Sequence, residues 1–195
     1  FNEAADKHDH EVTKGGIMDC LVQNRHKIPG GAALCSANIV EVIQSRYENI
    51  DLDPTLSAAC HDDRVVWCMD ADTSQPGAVQ SCLSAHFDSL SHDCREAEFE
   101  ALQVQSEEFQ LDIPLQNQCS GEISQHCRDV KSAGGDVLSC LEKALIQQQL
   151  SGSCKAIVHQ RMAMNMKYAS LNHALVVQCS HDAKTIGCGD FSSRD

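Results

Sequence analysis

The chain has 195 residues, twelve of them cysteine, and a formal net charge of −13 at pH 7. So acidic a surface excludes nucleic acid as a partner, because it would repel the phosphates, and it favours a basic protein instead. Aromatic residues make up only 4% of the chain, so cross-links are expected to supplement a core poor in large side chains. Dense cysteines are typical of oxidising compartments, which predicts an extracellular or secretory-lumen location.

The first residues, 1–10, are polar and acidic and lack the apolar segment of a signal peptide. No run of about 18 apolar residues occurs, so we expect no membrane span in this sequence. Five residues in or next to this region could ligate a metal: Asp6, His8, Asp9, His10 and Glu11. A charged terminal segment is the simpler interpretation, and we expect no metal site there.

Apolar residues recur at helical spacing, and the alternation that strands require is missing. In chain order the pattern occurs at residues 17–22, 79–90, 94–111 and 137–150. The face of the third segment comprises Ala97, Ala101, Leu102, Gln105 and Phe109. That of the fourth comprises Val137, Leu138, Leu141, Leu145 and Ile146. These patterns predict an all-α fold.

Turn and capping residues divide the helical segments. Turns are predicted at Gly15-Gly16, Pro76-Gly77 and Gly134-Gly135. Helix starts are predicted at Pro54, Ser91, Pro114 and Ser151. We therefore expect three helices in each unit, named A, B and C, which in the clearest unit span about 114–129, 136–148 and 152–167.

The cysteines repeat with a nearly constant period. Twenty-four residues separate the members of three pairs: Cys35 and Cys60, Cys94 and Cys119, Cys154 and Cys179. A Cys-x-Asp motif recurs at Cys68, Cys127 and Cys188. A Cys-Leu motif recurs at Cys20, Cys82 and Cys140. Such self-similarity predicts a tandem repeat that stacks as a short α-solenoid.

The repeat divides the chain into four parts. Residues 54–112 and 113–171 are complete four-cysteine units, preceded by the second half of a unit at 1–53 and followed by the first half of another at 172–195. Lys7 stands where the leading half would carry the cysteine of its Cys-x-Asp motif.

The four-cysteine pattern resembles the cysteine-rich repeat of the Golgi apparatus protein 1 family, also known as cysteine-rich fibroblast-growth-factor receptors or E-selectin ligands. The resemblance rests on two sets of four: Cys60, Cys68, Cys82, Cys94 and Cys119, Cys127, Cys140, Cys154. It implies a lumenal or membrane-anchored ectodomain that binds growth factors or adhesion receptors, without enzymatic activity.

Helix geometry predicts how these cysteines pair. Two cysteines eight residues apart on one helix are separated by about 12 Å, too far for a disulfide. With helices A, B and C running up, down and up, Cys119 reaches Cys154, and Cys127 reaches Cys140. The same argument pairs Cys60 with Cys94 and Cys68 with Cys82. Bonding Cys94 to Cys119 instead would leave a height difference of about 15 Å.

The remaining cysteines lie in the two half-units. Cys179 and Cys188 correspond to the first and second cysteines of a four-cysteine unit. We expect both on one helix, too far apart to bond each other. Cys35 and Cys20 correspond to the fourth and third cysteines, which are the predicted bonding partners of the first and second in a complete unit. We predict Cys179–Cys35 and Cys188–Cys20 bonds between successive protomers. In the alternative, Cys20 bonds Cys35, and the trailing cysteines pair with residues outside the sequence.

Other chemistry finds little support. The Cys-x2–4-Cys spacing of zinc sites and the Cys-x-x-Cys of redox enzymes are both missing. Residues Asp70, Asp72 and Ser74 are spaced like the start of a calcium loop, but the glycine and glutamate that complete one are missing. We expect no catalytic residues, no metal and no cofactor.

Two functions remain. The first is a structural protein that associates head to tail with itself, since complementary half-units can complete one another and an unclosed contact makes a filament. The alternative is a segment of a longer ligand-binding ectodomain whose acidic surface binds a basic protein.

Overall fold

The structure, a computed structural model, describes residues 16–28, 33–130, 134–189 and 191. Ten α-helices and no β-strand are found in this part of the chain, which confirms the all-α prediction. The helices are α1 (Gly16–Gln23), α2 (Ala33–Glu48), α3 (Pro54–Ala59), α4 (His61–Trp67), α5 (Ala78–Ala85), α6 (His92–Glu107), α7 (Ile113–His126), α8 (Gly134–Ile146), α9 (Gly152–Lys167) and α10 (His173–Thr185).

The helices repeat in the order A, B, C. Helices α3 with α4, α7 and α10 are of type A; α1, α5 and α8 are of type B; α2, α6 and α9 are of type C. Equivalent residues begin equivalent helices, because a short polar side chain accepts hydrogen bonds from the first free N–H groups. Type A helices are capped in this way by Asp53, Asp112 and Asn172. Ser91 and Ser151 cap α6 and α9, as predicted.

Two predictions about helix A are wrong in detail. In the first complete unit the helix is interrupted at Cys60, which ends α3 and precedes α4. In the trailing half, α10 ends at Thr185, so Cys188 lies beyond the helix that carries Cys179. Gly187 follows at φ 79°, a left-handed conformation that ends a right-handed helix.

Type B helices also differ from expectation. Gly16 and Gly134 are the first residues of α1 and α8, rather than turn residues. Ile146 is exposed instead of buried. It lies nine residues after the buried Val137, which is two and a half turns and therefore the opposite face of α8.

The core of the described residues has three parts, two of which draw buried residues from neighbouring units. One lies mainly in the first complete unit, one in the second, and one between α2 and the α6–α7 connection. Tyr168, from the second unit, enters the core of the first, where its ring centroid lies 5.2 Å from that of Phe99. At another seam Gly77 N–H donates to the Glu48 carbonyl oxygen at 2.8 Å. Neighbouring units therefore share apolar core residues and backbone bonds.

Candidate interaction surfaces and disulfide framework

Four disulfides join the helices of the two complete units. They are Cys60–Cys94, Cys68–Cys82, Cys119–Cys154 and Cys127–Cys140, with Cα–Cα distances of 4.5, 5.8, 4.7 and 5.9 Å. In each unit the first cysteine is bonded to the fourth and the second to the third. The structure thus brings together the same intrachain pairs that the helix geometry gives.

The two bonds of a unit have different surroundings. The first-to-fourth bonds join helices A and C in the core, where all four cysteines are fully buried. The second-to-third bonds lie at the corner between helices A and B. There the second cysteine is buried and the third, Cys82 or Cys140, is only half-buried. The core bond holds the unit together, while the corner bond is open to solvent on one side.

The half-unit cysteines are free in the chain. Cys20, Cys35 and Cys188 are exposed, and Cys179 is half-buried. The predicted Cys179–Cys35 and Cys188–Cys20 bonds would join two chains, and they stay a prediction.

Apolar residues beside these cysteines are uncovered. In the leading half, Ile17 is 69% exposed, whereas its counterparts Val79 and Val137 in the complete units are 9% and 3% exposed. In the trailing half, Leu175 on α10 is 38% exposed, whereas its counterparts Leu56 and Leu115 are 3% exposed. Ile17 and Leu175 are thus exposed at positions whose counterparts are buried in both four-cysteine units.

A second apolar surface lies at the end of α4, and sequence reasoning missed it. Four of its residues are exposed: Val65, Val66, Trp67 and Met69. We call these four residues the α4 patch. The equivalent residues of the second unit are polar: Ser124, Gln125, His126 and Arg128. Aligning the two units position by position would have revealed the contrast.

Buried polar residues meet where the two complete units join. Arg161 of α9 donates to both carboxylate oxygens of Asp112 at 2.8 Å and to Gln105 Oε1 at 3.3 Å. On the first-unit side, Ser84 Oγ donates to Glu98 Oε1 at 2.5 Å. All five side chains are buried, and the helical pattern predicted only Gln105 among them.

The electrostatics of this junction follow from burial. Burial raises the pKa of Glu98 to about 7, against the opposing effects of the Ser84 hydrogen bond and the Arg161 charge. Burial by itself would lower the pKa of Arg161, but the Asp112 carboxylate more than offsets this and raises it. Arg161 therefore stays charged, while Glu98 titrates near neutral pH.

Metal ligation has one geometric candidate in the described part of the chain. Ligand atoms of Cys68, Cys82 and His86 lie within 4.8 Å of one another, but the two sulfurs are bonded to each other and cannot ligate an ion. At the predicted partial calcium motif, Ser74 donates to the Asp72 carboxylate and thereby lowers its pKa. The five residues Asp6, His8, Asp9, His10 and Glu11 lie outside the described residues.

None of the described helices is long and apolar enough to span a bilayer. The fold and its bonds define a tandem repeat protein of disulfide-linked three-helix units, and four disulfides fit a lumenal or extracellular location. The sequence profile of one family, the cysteine-rich repeat, matches residues 33–91 and 92–149. The chain belongs to this cysteine-rich repeat family.

Several relatives share the repeat. Human Golgi apparatus protein 1 is 25% identical over 178 residues, which cover 88% of this chain and 15% of the relative. The chicken protein of the same name is 25% identical over 175 residues. The Golgi apparatus protein 1 homolog of Caenorhabditis elegans is 27% identical over 190 residues, 90% of this chain and 16% of the relative. The chain thus spans about one sixth of their length. No solved structure matches it.

Proposed function

We propose that the chain is a non-enzymatic lumenal scaffold whose open half-units bind each other head to tail. The trailing α10 of one copy takes the place of helix A beside α1 and α2 of the next. The assembly is linked by Cys179–Cys35 and Cys188–Cys20 bonds. The likeness to proteins named for the Golgi apparatus, together with the disulfides, supports the lumen of the secretory pathway as its location.

The matched exposures of Ile17 and Leu175 carry this proposal. Each is an apolar residue at a position that is buried in both complete units, and each half-unit carries helices of a type that the described residues of the other do not include. Mutual completion would bury both faces and bring cysteines of complementary type together. A contact of this kind joins unlike surfaces, so it continues from copy to copy.

The proposal also adopts 54–112 and 113–171 as the units, with 1–53 and 172–195 as half-units. All four disulfides fall within these two units. The family profile begins its repeats at type C helices instead, so its boundary at residue 91 separates Cys60 from Cys94.

Two complementary variants test the assembly. One carries Cys179→Ser and Cys188→Ser, and the other carries Cys20→Ser and Cys35→Ser. Each alone should run as a 21.3 kDa monomer on non-reducing electrophoresis, because its remaining cysteines have no complementary partner. Mixed and oxidised, they should form a covalent dimer and nothing larger. Dimers of one variant alone, or no dimer in the mixture, would refute head-to-tail completion.

The α4 patch favours a second function, that of a binding segment in a longer ectodomain. Its exposed apolar residues are flanked by the exposed carboxylates of Asp62 and Asp70, on a chain of net charge −13. This chemistry suits a basic protein segment that inserts an apolar or aromatic side chain against Trp67.

Exchange between the units tests this second function. The variant Val65→Ser, Val66→Gln, Trp67→His, Met69→Arg places the second unit's residues on the first. It should weaken binding of a fluorescent Arg/Lys-rich peptide containing Trp by tenfold or more, the size expected for loss of an aromatic anchor. The control variant Glu100→Gln removes an exposed charge outside the patch and should leave affinity within about twofold. Equal affinity of the patch variant and the unmodified chain would contradict the proposal.

A further inference from the structure

The corner disulfide of the first unit has a histidine beside it. His86 Nδ1 donates to the Cys82 carbonyl oxygen at 3.0 Å and lies 3.8 Å from Cys82 Sγ. A ring nitrogen of His86 lies within 4.8 Å of both sulfurs of the Cys68–Cys82 bond. The ring of Trp67 stacks on the imidazole, with centroids 5.2 Å apart and planes inclined by 22°. A group that can carry positive charge is therefore held against this bond.

The corner disulfide of the second unit provides an internal comparison. In both bonds the second cysteine is buried and the third half-buried. The third cysteine's Sγ lies 3.4 Å from a carbonyl oxygen in both, that of Trp67 for Cys82 and that of His126 for Cys140. The counterpart of His86, however, is the apolar Ala144. The two bonds thus share their fold position, but among the described residues a histidine nitrogen lies within 4.8 Å of both sulfurs only at Cys68–Cys82; His126 and Lys143 line a pocket with Cys140 without that approach.

We infer that Cys68–Cys82 is a thiol-exchange site, which reacts with small thiols of the glutathione class in preference to Cys127–Cys140. The thiolate attacks Cys82 Sγ, the more accessible sulfur. A bond forms between the glutathione sulfur and Cys82 Sγ while the Cys68–Cys82 bond breaks. The electron pair of the broken bond stays on Cys68 Sγ, which leaves as a thiolate. A second thiolate then attacks the glutathione sulfur of the mixed disulfide, which releases oxidised glutathione and the Cys82 thiolate.

His86 favours this reaction through its charge. A neighbouring cation stabilises the departing thiolate, and a better leaving group departs faster. The same charge attracts the anionic thiolate to the bond. The site differs from the half-unit cysteines, so the inference does not rest on head-to-tail assembly.

The test compares the two corner bonds within one molecule. The four free cysteines of the full chain are first blocked by alkylation, and the chain is then incubated with glutathione at pH 6. Trapped thiols and mixed disulfides are located by peptide mass spectrometry. We expect Cys68–Cys82 to react about three- to tenfold faster than Cys127–Cys140.

Two substitutions of His86 separate charge from structure. His86→Asn should bring the two rates within about twofold, and the unchanged Cys127–Cys140 rate reports an intact fold. Asn24 shows that asparagine can make the same contacts, since its Nδ2 donates to the Cys20 carbonyl oxygen at 2.8 Å and lies 3.7 Å from Cys20 Sγ. His86→Arg, which keeps a positive charge, should keep the preference. Equal rates in the unmodified chain, or a preference that survives His86→Asn, would overturn the inference.

Discussion

Arg161 and Asp112 form a two-pronged ion pair in the interior, with both N–O distances 2.8 Å and both side chains buried. The same Asp112 carboxylate accepts from Leu115 N–H at 3.1 Å and so caps α7. One side chain therefore begins helix A and fastens helix C of the same unit to it. Removing its charge should leave a buried guanidinium without its hydrogen-bonded counterion.

We predict that Asp112→Asn lowers the free energy of unfolding by about 3–5 kcal/mol in urea titrations at pH 7. Asparagine can still cap α7, as Asn172 caps α10, so the loss reports the ion pair. The double variant Asp112→Asn, Arg161→Met should recover part of it. A loss under 1 kcal/mol for the single variant would show that the pair contributes little.

A surface ion pair serves as the control for this measurement. Arg64 Nη1 lies 2.7 Å from Asp51 Oδ1, and the aspartate is exposed. Water screens such pairs, so Asp51→Asn should cost less than about 1 kcal/mol.

Glu98 should make stability depend on pH. Because its pKa in the folded protein is raised to about 7, from 4.5, the folded state binds the proton more tightly than the unfolded state. The free energy of unfolding should then fall as pH rises from about 4.5 to 7, by on the order of 3 kcal/mol.

Glu98→Gln should remove this decline, so that the variant is more stable than the unmodified chain at pH 8 and similar to it at pH 4.5. Glu100→Gln, an exposed position on the same helix, is the matched control and should keep the decline. Parallel pH profiles for Glu98→Gln and the unmodified chain would contradict the prediction.

Gly77 should not tolerate a side chain. Its φ is 72°, and an added Cβ would lie 3.0 Å from Ile113 Cγ2 in the next unit. We expect Gly77→Ala to cost at least about 1–2 kcal/mol in thermal or urea unfolding. Gly121→Ala is the contrasting case, because Gly121 lies within α7 with nothing within 4 Å of its Cβ position. That substitution should stabilise the chain by roughly 0.5–1 kcal/mol, and equal effects at the two glycines would be the contrary result.

The stability lost on truncating a leucine at one repeat position, Leu115 or Leu175, should depend on whether its unit is complete. Leu115→Ala should cost about 2–5 kcal/mol, since Leu115 is buried in the second unit's core. Leu175→Ala should cost less than about 1 kcal/mol in the monomer, because Leu175 is already 38% exposed there. Unfolding is monitored on the monomeric Cys179→Ser, Cys188→Ser variant, which keeps the four intrachain disulfides. Similar losses at both leucines would mean that Leu175 is already packed in the monomer.

Local rules along the chain account for much of the fold. The period follows from the cysteine spacing, and the caps at Ser91 and Ser151 follow from residue type. The relative heights of Cys119 and Cys154 follow from counting residues at 1.5 Å per step. Burial depends on what lies opposite. By residue type Glu98 would be expected at the surface, but it is buried near Ser84 and Arg161. Ile146 would be expected in the core, but it is exposed.

The measurement closest to the central proposal is the disulfide map of the covalent assembly. Non-reducing peptide mass spectrometry of the dimer formed by the two complementary cysteine variants should find Cys179 linked to Cys35 and Cys188 linked to Cys20. In both complete units the first cysteine bonds the fourth and the second bonds the third. The same pairing in the shared unit requires these two bonds. Crossed pairs, Cys179 with Cys20 and Cys188 with Cys35, would contradict completion of a native unit. So would a Cys20–Cys35 bond within one chain.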